Sequence, residues 1–404
     1  MPAIRPTSSR ERYESLDALR GFALFGILMA NLYSFFGYGA LTPGEIVSLP
    51  MADRGVLFFI DWFIESKFFG LFSMLFGIGF GLQAARMADS PGYFRAYWYR
   101  RMFVLLAIGL FHMICIWNGD ILTLYSLLGM LLPLFLSVSD RALVRWIVCL
   151  LAMPIVMFFL HWLTGESGFW TGLSRYSGEL KAELGFGELS LLEMRTSDSA
   201  REVFLINALS AIPRPMSYFF TGRYPQVFGL FLIGLLLSRR LPGLVQSRIP
   251  LTRRMVTVFL VGLVCSFAYA WTKATSGSGY SLTPLGAVQA AVLHIGAPLL
   301  SLGIGWTFLA AWHSARESAF FRHLATLGRM ALSNYLFQTS VSVLLFFGYG
   351  LALMGTLPYS ILPLFVLGIL SLQWMLSHYW LARFRQGPLE IIWKRIAYVK
   401  QRSA

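Results

Sequence analysis

The sequence predicts an all-α fold: a polytopic membrane helix bundle of about ten transmembrane helices, both termini cytoplasmic, with an extracytoplasmic polar insert and a C-terminal interfacial helix. Three observations carry this. With 57% hydrophobic and 13% charged residues and a positive mean hydropathy, 404 residues cannot hide their apolar surface in one water-soluble core. Apolar runs of about 20 residues recur, each long enough to cross ~30 Å of hydrocarbon. The basic residues are banded: of 33 Lys and Arg, 24 fall in alternate gaps between those runs and at the chain ends.

In order, the apolar windows cover 17–38, 56–82, 101–118, 121–137, 143–163, 216–238, 255–273, 287–311, 329–350 and 358–382. One side of the membrane receives Arg5, Arg10, Arg12 and Arg20, then Arg86, Arg95, Arg100 and Arg101, then Arg141 and Arg145. The same side receives Arg239, Arg240, Arg248, Arg253 and Arg254, then Arg316, Arg322 and Arg329, and the six Lys and Arg from Arg383 onward. Positive charge is retained in the cytoplasm, which places these segments there. The other side carries short turns and the insert, 164–202, where Glu166, Glu179, Glu183, Glu188, Glu193, Asp198 and Glu202 outnumber the basic residues. The chain thus divides into an N-terminal membrane half, 1–163, the insert, and a C-terminal half, 203–404. Five spans on each side of the insert is a layout that inverted-repeat transporters share, although the halves show no sequence echo. Between Ala211 and Tyr224, Pro213 and Pro215 are expected to break helix twice before the sixth span. After Gly387-Pro388, Leu389, Ile392, Trp393, Ile396 and Val399 recur at helical spacing opposite Lys394 and Arg395, the pattern of a helix lying on the cytoplasmic interface.

The net charge of +14 is spread over six stretches rather than gathered on one face, which argues for topology and against nucleic-acid binding. Cys115, Cys149 and Cys265 lie inside spans without ligand spacing and are expected to be packing residues. The first apolar run lacks a cleavage pattern and reads as a retained span, not a signal peptide. No zinc-hydrolase, serine-hydrolase or nucleotide motif stands in a supporting context, and no metal site is expected.

Ionisable side chains inside spans are costly and mark either buried partners or function. Arg20 and Asn31 stand close to three turns apart in the first span and share a face. Asp61 and Glu65, one turn apart with Lys67 beyond, must face inward or sit at the outer boundary. His112, eleven residues after Arg101, falls about 16 Å into the bilayer, where histidine has few structural uses. Asn118-Gly119-Asp120 makes a turn in which Asp120 caps the next helix, about 12 Å along the axis from His112 and out of its reach unless the chain bends. Asn334 and Gln338 in the ninth span are amides that either join helices or bind ligand. His294, beside Gly296 and Pro298, is the next histidine candidate after His112.

The stretches LDALRGFALFGILMAN, FFGLFSMLFGIGFG, the surroundings of His112 with WNGDIL, GRMALSNYLFQ and FRQGPLEIIWKRIAY together resemble the YeiB-like family of bacterial inner-membrane proteins, nearly end to end. That family is distantly similar to the transmembrane acyltransferases, the heparan-glucosaminide N-acetyltransferase and acyltransferase-3 groups. The acyltransferase-3 group has a histidine where this chain has Asn31, at the same distance from Arg20, which moves the expected base to His112. The resemblance implies an inner-membrane enzyme carrying an acyl group, acetyl first, from cytoplasmic acyl-coenzyme A to an envelope sugar, lipid or small metabolite. In that scheme His112 is the base, and Asn31, Asp61, Glu65, Asp120, Asn334 and Gln338 bind substrate. Arg20 and Arg329 hold coenzyme A phosphates. The partners are the bilayer, the donor and the acceptor, with homo-oligomer formation left open. A transporter or lipid exporter with a polar midplane path, and a non-catalytic membrane scaffold, are the competing expectations.

The basic bands generate a direct test. Tags at both termini should be cytoplasmic, and a cysteine placed at Ser177 in the insert should react with an impermeant reagent on intact cells. Labelling only after lysis would reverse the topology.

Overall fold

The structure, a computed structural model, describes residues 13–164, 168–240 and 252–398, and every regular element in them is helical. Arg5, Arg10, Arg12, Arg248, Lys400 and Arg402 of the basic bands, Glu166 of the insert and Val399 lie outside the described residues. The elements are α1 (Glu14–Phe35), α2 (Pro43–Ser48), α3 (Met51–Phe59), α4 (Lys67–Arg86), α5 (Pro91–Phe111), α6 (Leu122–Gly129) and α7 (Asp140–Thr164). The insert region follows with α8 (Gly168–Glu183), α9 (Leu191–Thr196), α10 (Ala200–Ala211) and α11 (Arg214–Phe220). The C-terminal half has α12 (Arg223–Ser238), α13 (Arg253–Ser276), α14 (Pro284–Ala315), α15 (Ala319–Gly328), α16 (Ala331–Phe346), α17 (Leu362–Leu381) and α18 (Pro388–Ala397).

Among the described residues seven helical stretches are long and apolar enough to cross a membrane, eight if α11 and α12, bent by 72°, count as one. The expected count of ten therefore shrinks, for identifiable reasons. The run 121–137 folds as the eight-residue α6 and a 3₁₀ turn at Leu132–Phe135, where Pro133 prevents α6 from continuing. The run 329–350 contains only the sixteen residues of α16, because Arg329 and Met330 form the joint with α15. The helix breaks as expected at Pro213, in the turn between α10 and α11, whereas Pro215 lies in the first turn of α11, a position the fixed φ of proline suits.

Two spans are interrupted. Between α3 and α4 the chain passes through a π-turn, Ile60–Ile64, then extended Glu65 and left-handed Ser66 (φ 67°), a conformation a residue with a Cβ adopts at some cost. Between α11 and α12 the corresponding residue is Gly222 (φ 61°), where a Cβ would also lie 2.3 Å from Pro154. The two continuing helices, α4 and α12, pack along their length through glycines, as expected of small residues in membrane helices. A Cβ at Gly77 would fall 2.0 Å from the Phe231 carbonyl oxygen, and one at Gly234 2.1 Å from that of Met74.

On the basic side, α18 folds under the bundle. Glu390 accepts from the Leu332 N–H at 2.8 Å, the Ser333 N–H at 3.2 Å and the Ser333 hydroxyl, so it caps α16 from 57 and 58 residues away. Burial holds its carboxyl above the usual glutamate range. Cys115 and Cys149 are exposed on the outer surface of the bundle and Cys265 is half-buried against Gly296, so the first two do not pack the interior as expected.

The α4–α12 seam makes a sharp prediction. Gly234→Val should lower the unfolding temperature in detergent by the equivalent of about 1 to 3 kcal/mol or more, because backbone is in the way. Gly368→Ala in α17, where a Cβ meets nothing within 4 Å, should leave it unchanged.

Candidate functional site

The site that carries the most chemistry is made by a break at the end of α5. After Phe111 the helix widens into a π-turn, His112–Ile116, in which the Trp117 N–H bonds the His112 carbonyl at 2.8 Å. Trp117 is extended, and its ring lies 4.7 Å from that of Phe35 of α1. The chain then reverses so that α6 runs back along α5. Gly109 permits this, since a Cβ there would sit 2.5 Å from the Thr123 nitrogen. The reversal brings Asp120 to His112: Nδ1 and Oδ1 are 2.9 Å apart, and both side chains are fully enclosed. The axial distance expected for an unbroken helix does not apply, and these two candidates form a direct pair.

Asp120 is held on three sides. Its second carboxylate oxygen accepts from the Thr123 N–H at 2.6 Å, and its carbonyl accepts from the Tyr218 hydroxyl. If Asp120 accepts at Oδ1 as it does at Oδ2, the shared proton sits on His112 Nδ1. His112 Nε2 is buried and has no hydrogen-bond partner among the described residues. The Tyr335 ring of α16 stands 5.4 Å from the imidazole.

A second buried centre lies at the break between α3 and α4. Asp61 forms an ion pair with Lys273 of α13 at 2.7 Å, and that ammonium also donates to the Tyr33 hydroxyl at 2.9 Å. The rings of Tyr33, Tyr38 and Tyr269 surround it at 5.1, 5.0 and 5.9 Å. Lys67, fully buried, donates to the Asp61 carbonyl at 2.6 Å, and Ser301 closes the turn by donating to the Lys67 carbonyl at 2.7 Å. Glu65, half-buried just after the π-turn, lies within electrostatic reach of Asp61, Lys67 and Lys273 and belongs to the same centre. His294 is enclosed with Nε2 3.0 Å from the Tyr280 hydroxyl.

Asn334 and Gln338 are used by the bundle itself. Asn334 donates to the Leu327 carbonyl at 2.9 Å and accepts from Ser377 at 3.1 Å. Gln338 donates to Gln373 at 2.9 Å and, more weakly, to the Leu24 carbonyl at 3.4 Å, while Gln373 donates to the Asn334 carbonyl. These bonds tie α1, α16 and α17 together. Asn31 is half-buried on α1, and the structure brings it to none of these centres.

On the basic side Arg20 pairs with Asp17 at 2.8 Å, and its Nη2 lies 3.7 Å from where a Gly79 Cβ would be. Gln83, one turn beyond Gly79, accepts from Arg101 at 2.9 Å. Arg101 also donates to the Tyr97 hydroxyl at 3.0 Å and lies 3.8 Å over the Trp393 ring of α18. Arg329 follows Gly328, whose missing Cβ lets α15 press on the Asp17 backbone, so Arg20 and Arg329 share one helix crossing.

Lys273, Asn207, Arg101, Gln83 and Trp393 escaped the sequence reading. Lys273 ends a span and looks like an interface anchor, while Asn207 sits in the insert region without a local motif. For Arg101 the available signal was its spacing from His112 on α5. Among the described residues no group of three His, Cys, Asp or Glu is placed to hold a metal ion.

Composition, spans and enclosed polar centres define the class: an all-α bundle of membrane-crossing helices with ionisable groups inside. The chain is 30% identical to the uncharacterized protein YxaH of Bacillus subtilis (strain 168), over 99% of this chain and 97% of that one. It is 26% identical to the uncharacterized protein YeiB of Escherichia coli (strain K12), over 96% of each. A Bacillus acidopullulyticus protein, described as an uncharacterized 39.9 kDa protein in the amylase 3' region, is 26% identical over 97% of this chain and 96% of its own. The chain belongs to this YxaH and YeiB family, and residues 243–400 match the family model described as Protein of unknown function (DUF418). No solved structure matches it significantly.

The Asp61–Lys273 pair yields a double-mutant prediction. Asp61→Leu alone leaves an uncompensated buried ammonium and should destabilise by about 3 to 5 kcal/mol in a denaturation assay. Adding Lys273→Met should recover most of that loss. Equal stability of the single variant and wild type would mean that the pair contributes nothing.

Proposed function

We propose that the protein is a cytoplasmic-membrane acyltransferase in which His112 and Asp120 are the acid-base dyad. One observation carries the reading: His112 Nδ1 lies 2.9 Å from Asp120 Oδ1 while its buried Nε2 has no partner among the described residues, and a proton held on Nδ1 by the carboxylate would make Nε2 a general base. In the reaction Nε2 takes the proton of an acceptor hydroxyl or amine as its oxygen or nitrogen bonds to the acyl carbon. The carbon–sulfur bond of the thioester breaks, and the same proton passes to the departing thiolate. Asp120 stabilises the imidazolium between the two transfers.

Acyl-coenzyme A is the donor this reading requires, and the basic side supplies fitting residues. Arg20, Arg101 and Arg329 suit phosphate oxygens, with Arg101 stacked on Trp393. Arg101 and His112 lie on the same helix, eleven residues and about 16 Å apart, so donor phosphates on one side and thioester at the dyad call for an extended arm between them. Both dyad residues are enclosed, so acceptor and thioester reach Nε2 only when neighbouring helices part.

A transporter is the second reading, favoured by the interrupted spans that meet at α4 and α12 beside the Asp61–Lys273 pair. The two readings separate in one assay. Acetyl-coenzyme A should raise the thermal stability of the purified protein, less so in Arg20→Ala, and membranes containing the protein should release free coenzyme A thiol. His112→Gln should fold and still bind donor, with release reduced by a factor on the order of 10² to 10⁴. A fully active His112→Gln would sink the dyad, and no thermal shift with any acyl-coenzyme A at millimolar concentration would favour transport.

A further inference from the structure

We infer that Asn207, on α10 of the insert region, is the positioning residue that sets the His112 imidazole, so that this region functions as a clamp on the dyad. A helix that widens into a π-turn and stops leaves its last carbonyls without the N–H groups of a following turn. Here the Trp117 N–H is spent on the His112 carbonyl, so the Met113 and Ile114 carbonyls need other donors. Asn207 supplies them: its Nδ2 donates to Met113 at 3.0 Å and to Ile114 at 2.8 Å. Its Oδ1 accepts from the Asn118 N–H at 2.7 Å, the first amide after the extended Trp117.

Two acceptors and one donor on the π-turn and the following loop therefore meet one side-chain amide, which alone among side chains of this size offers two donors and an acceptor. The side chain is 2% exposed, so each bond broken leaves a buried group unpaired. The loop is held from a second point. Arg195 of α9 donates to the Asn118 side-chain oxygen at 2.8 Å, and its own carbonyl accepts from the Gly348 N–H at 2.8 Å. Burial and the neighbouring Arg214 hold the Arg195 guanidinium down at about 10. His112 begins the π-turn and Asp120 ends the loop, so both partners of the dyad hang on a segment held by α10 through its backbone and by α9 through the Asn118 side chain. The inference rests on the dyad reading of the site for its catalytic meaning, but its geometry stands without any substrate.

The test uses the full-length protein labelled with ¹⁵N-imidazole histidine, in which His112→Gln assigns the His112 signals. Wild type should show one His112 tautomer, protonated at Nδ1. Asn207→Ala should turn this into a mixture of tautomers and cut coenzyme A release about 10²-fold. Asn207→Ser, which keeps an acceptor for the Asn118 N–H and a donor for one carbonyl, should fall between. Wild-type His112 signals in both variants would overturn the inference. So would an Asn207→Ser protein whose other five histidine signals are lost, since Asn207 would then serve folding in general. An Asn207-sensitive His112 spectrum in a wild-type protein that releases no coenzyme A would instead remove the acyltransferase reading and leave the clamp.

Discussion

Everything polar in this molecule follows from one constraint: within hydrocarbon, a backbone N–H or C=O that loses its helical partner must find another inside the protein. Several helix breaks are matched by a side chain. Asn207 closes the π-turn of α5, Lys67 and Ser301 close the break before α4, and Glu390 caps α16. Trp393 Nε1 reaches the Arg101 carbonyl at 2.7 Å and anchors α18 beneath α5. The side chains that complete the backbone are thus the same ones that bring ionisable groups together.

The two sides of the bundle use different chemistry. The basic side presents Arg101, stacked on Trp393 and hydrogen-bonded to Gln83. The opposite side holds two enclosed polar centres: the Asp61–Lys273 pair among tyrosines, and His112 with Asp120. Between them, the amides of Asn334, Gln338 and Gln373 join three helices and add no free donor to either centre beyond the bonds that hold the bundle. α5 connects the two sides directly, carrying Arg101 and ending where His112 begins.

Hydropathy made the helical class and most of the long spans legible, because apolar length is a one-dimensional property. It failed where span length was cut by local stereochemistry, at Pro133 and at the joint before Ala331. The dyad was half legible. His112 and Asp120 each stood out as ionisable groups in apolar surroundings, but their pairing depends on a π-turn and a reversal that periodicity treats as straight helix. Lys273 was invisible as Asp61's partner because 212 residues separate them. Asn207 was invisible because its task is defined by carbonyls of another segment. The amides at 334 and 338 carried two meanings in the sequence, and only their partners decide for the bundle.

The glycine contacts of α4 and α12 also constrain how such a molecule moves. Where Gly77 meets the Phe231 carbonyl and Gly234 meets that of Met74, backbone rests on backbone in both directions. Sliding one helix past the other means riding over a peptide unit and dropping into the next notch, about 5.4 Å further on, and no continuous shift is available. These helices form a ratchet locked in one tooth, the fixed axle of the protein. Any breathing that admits molecules to its interior belongs to helices that touch through side chains, whose rotamers yield in steps much smaller than a helical turn.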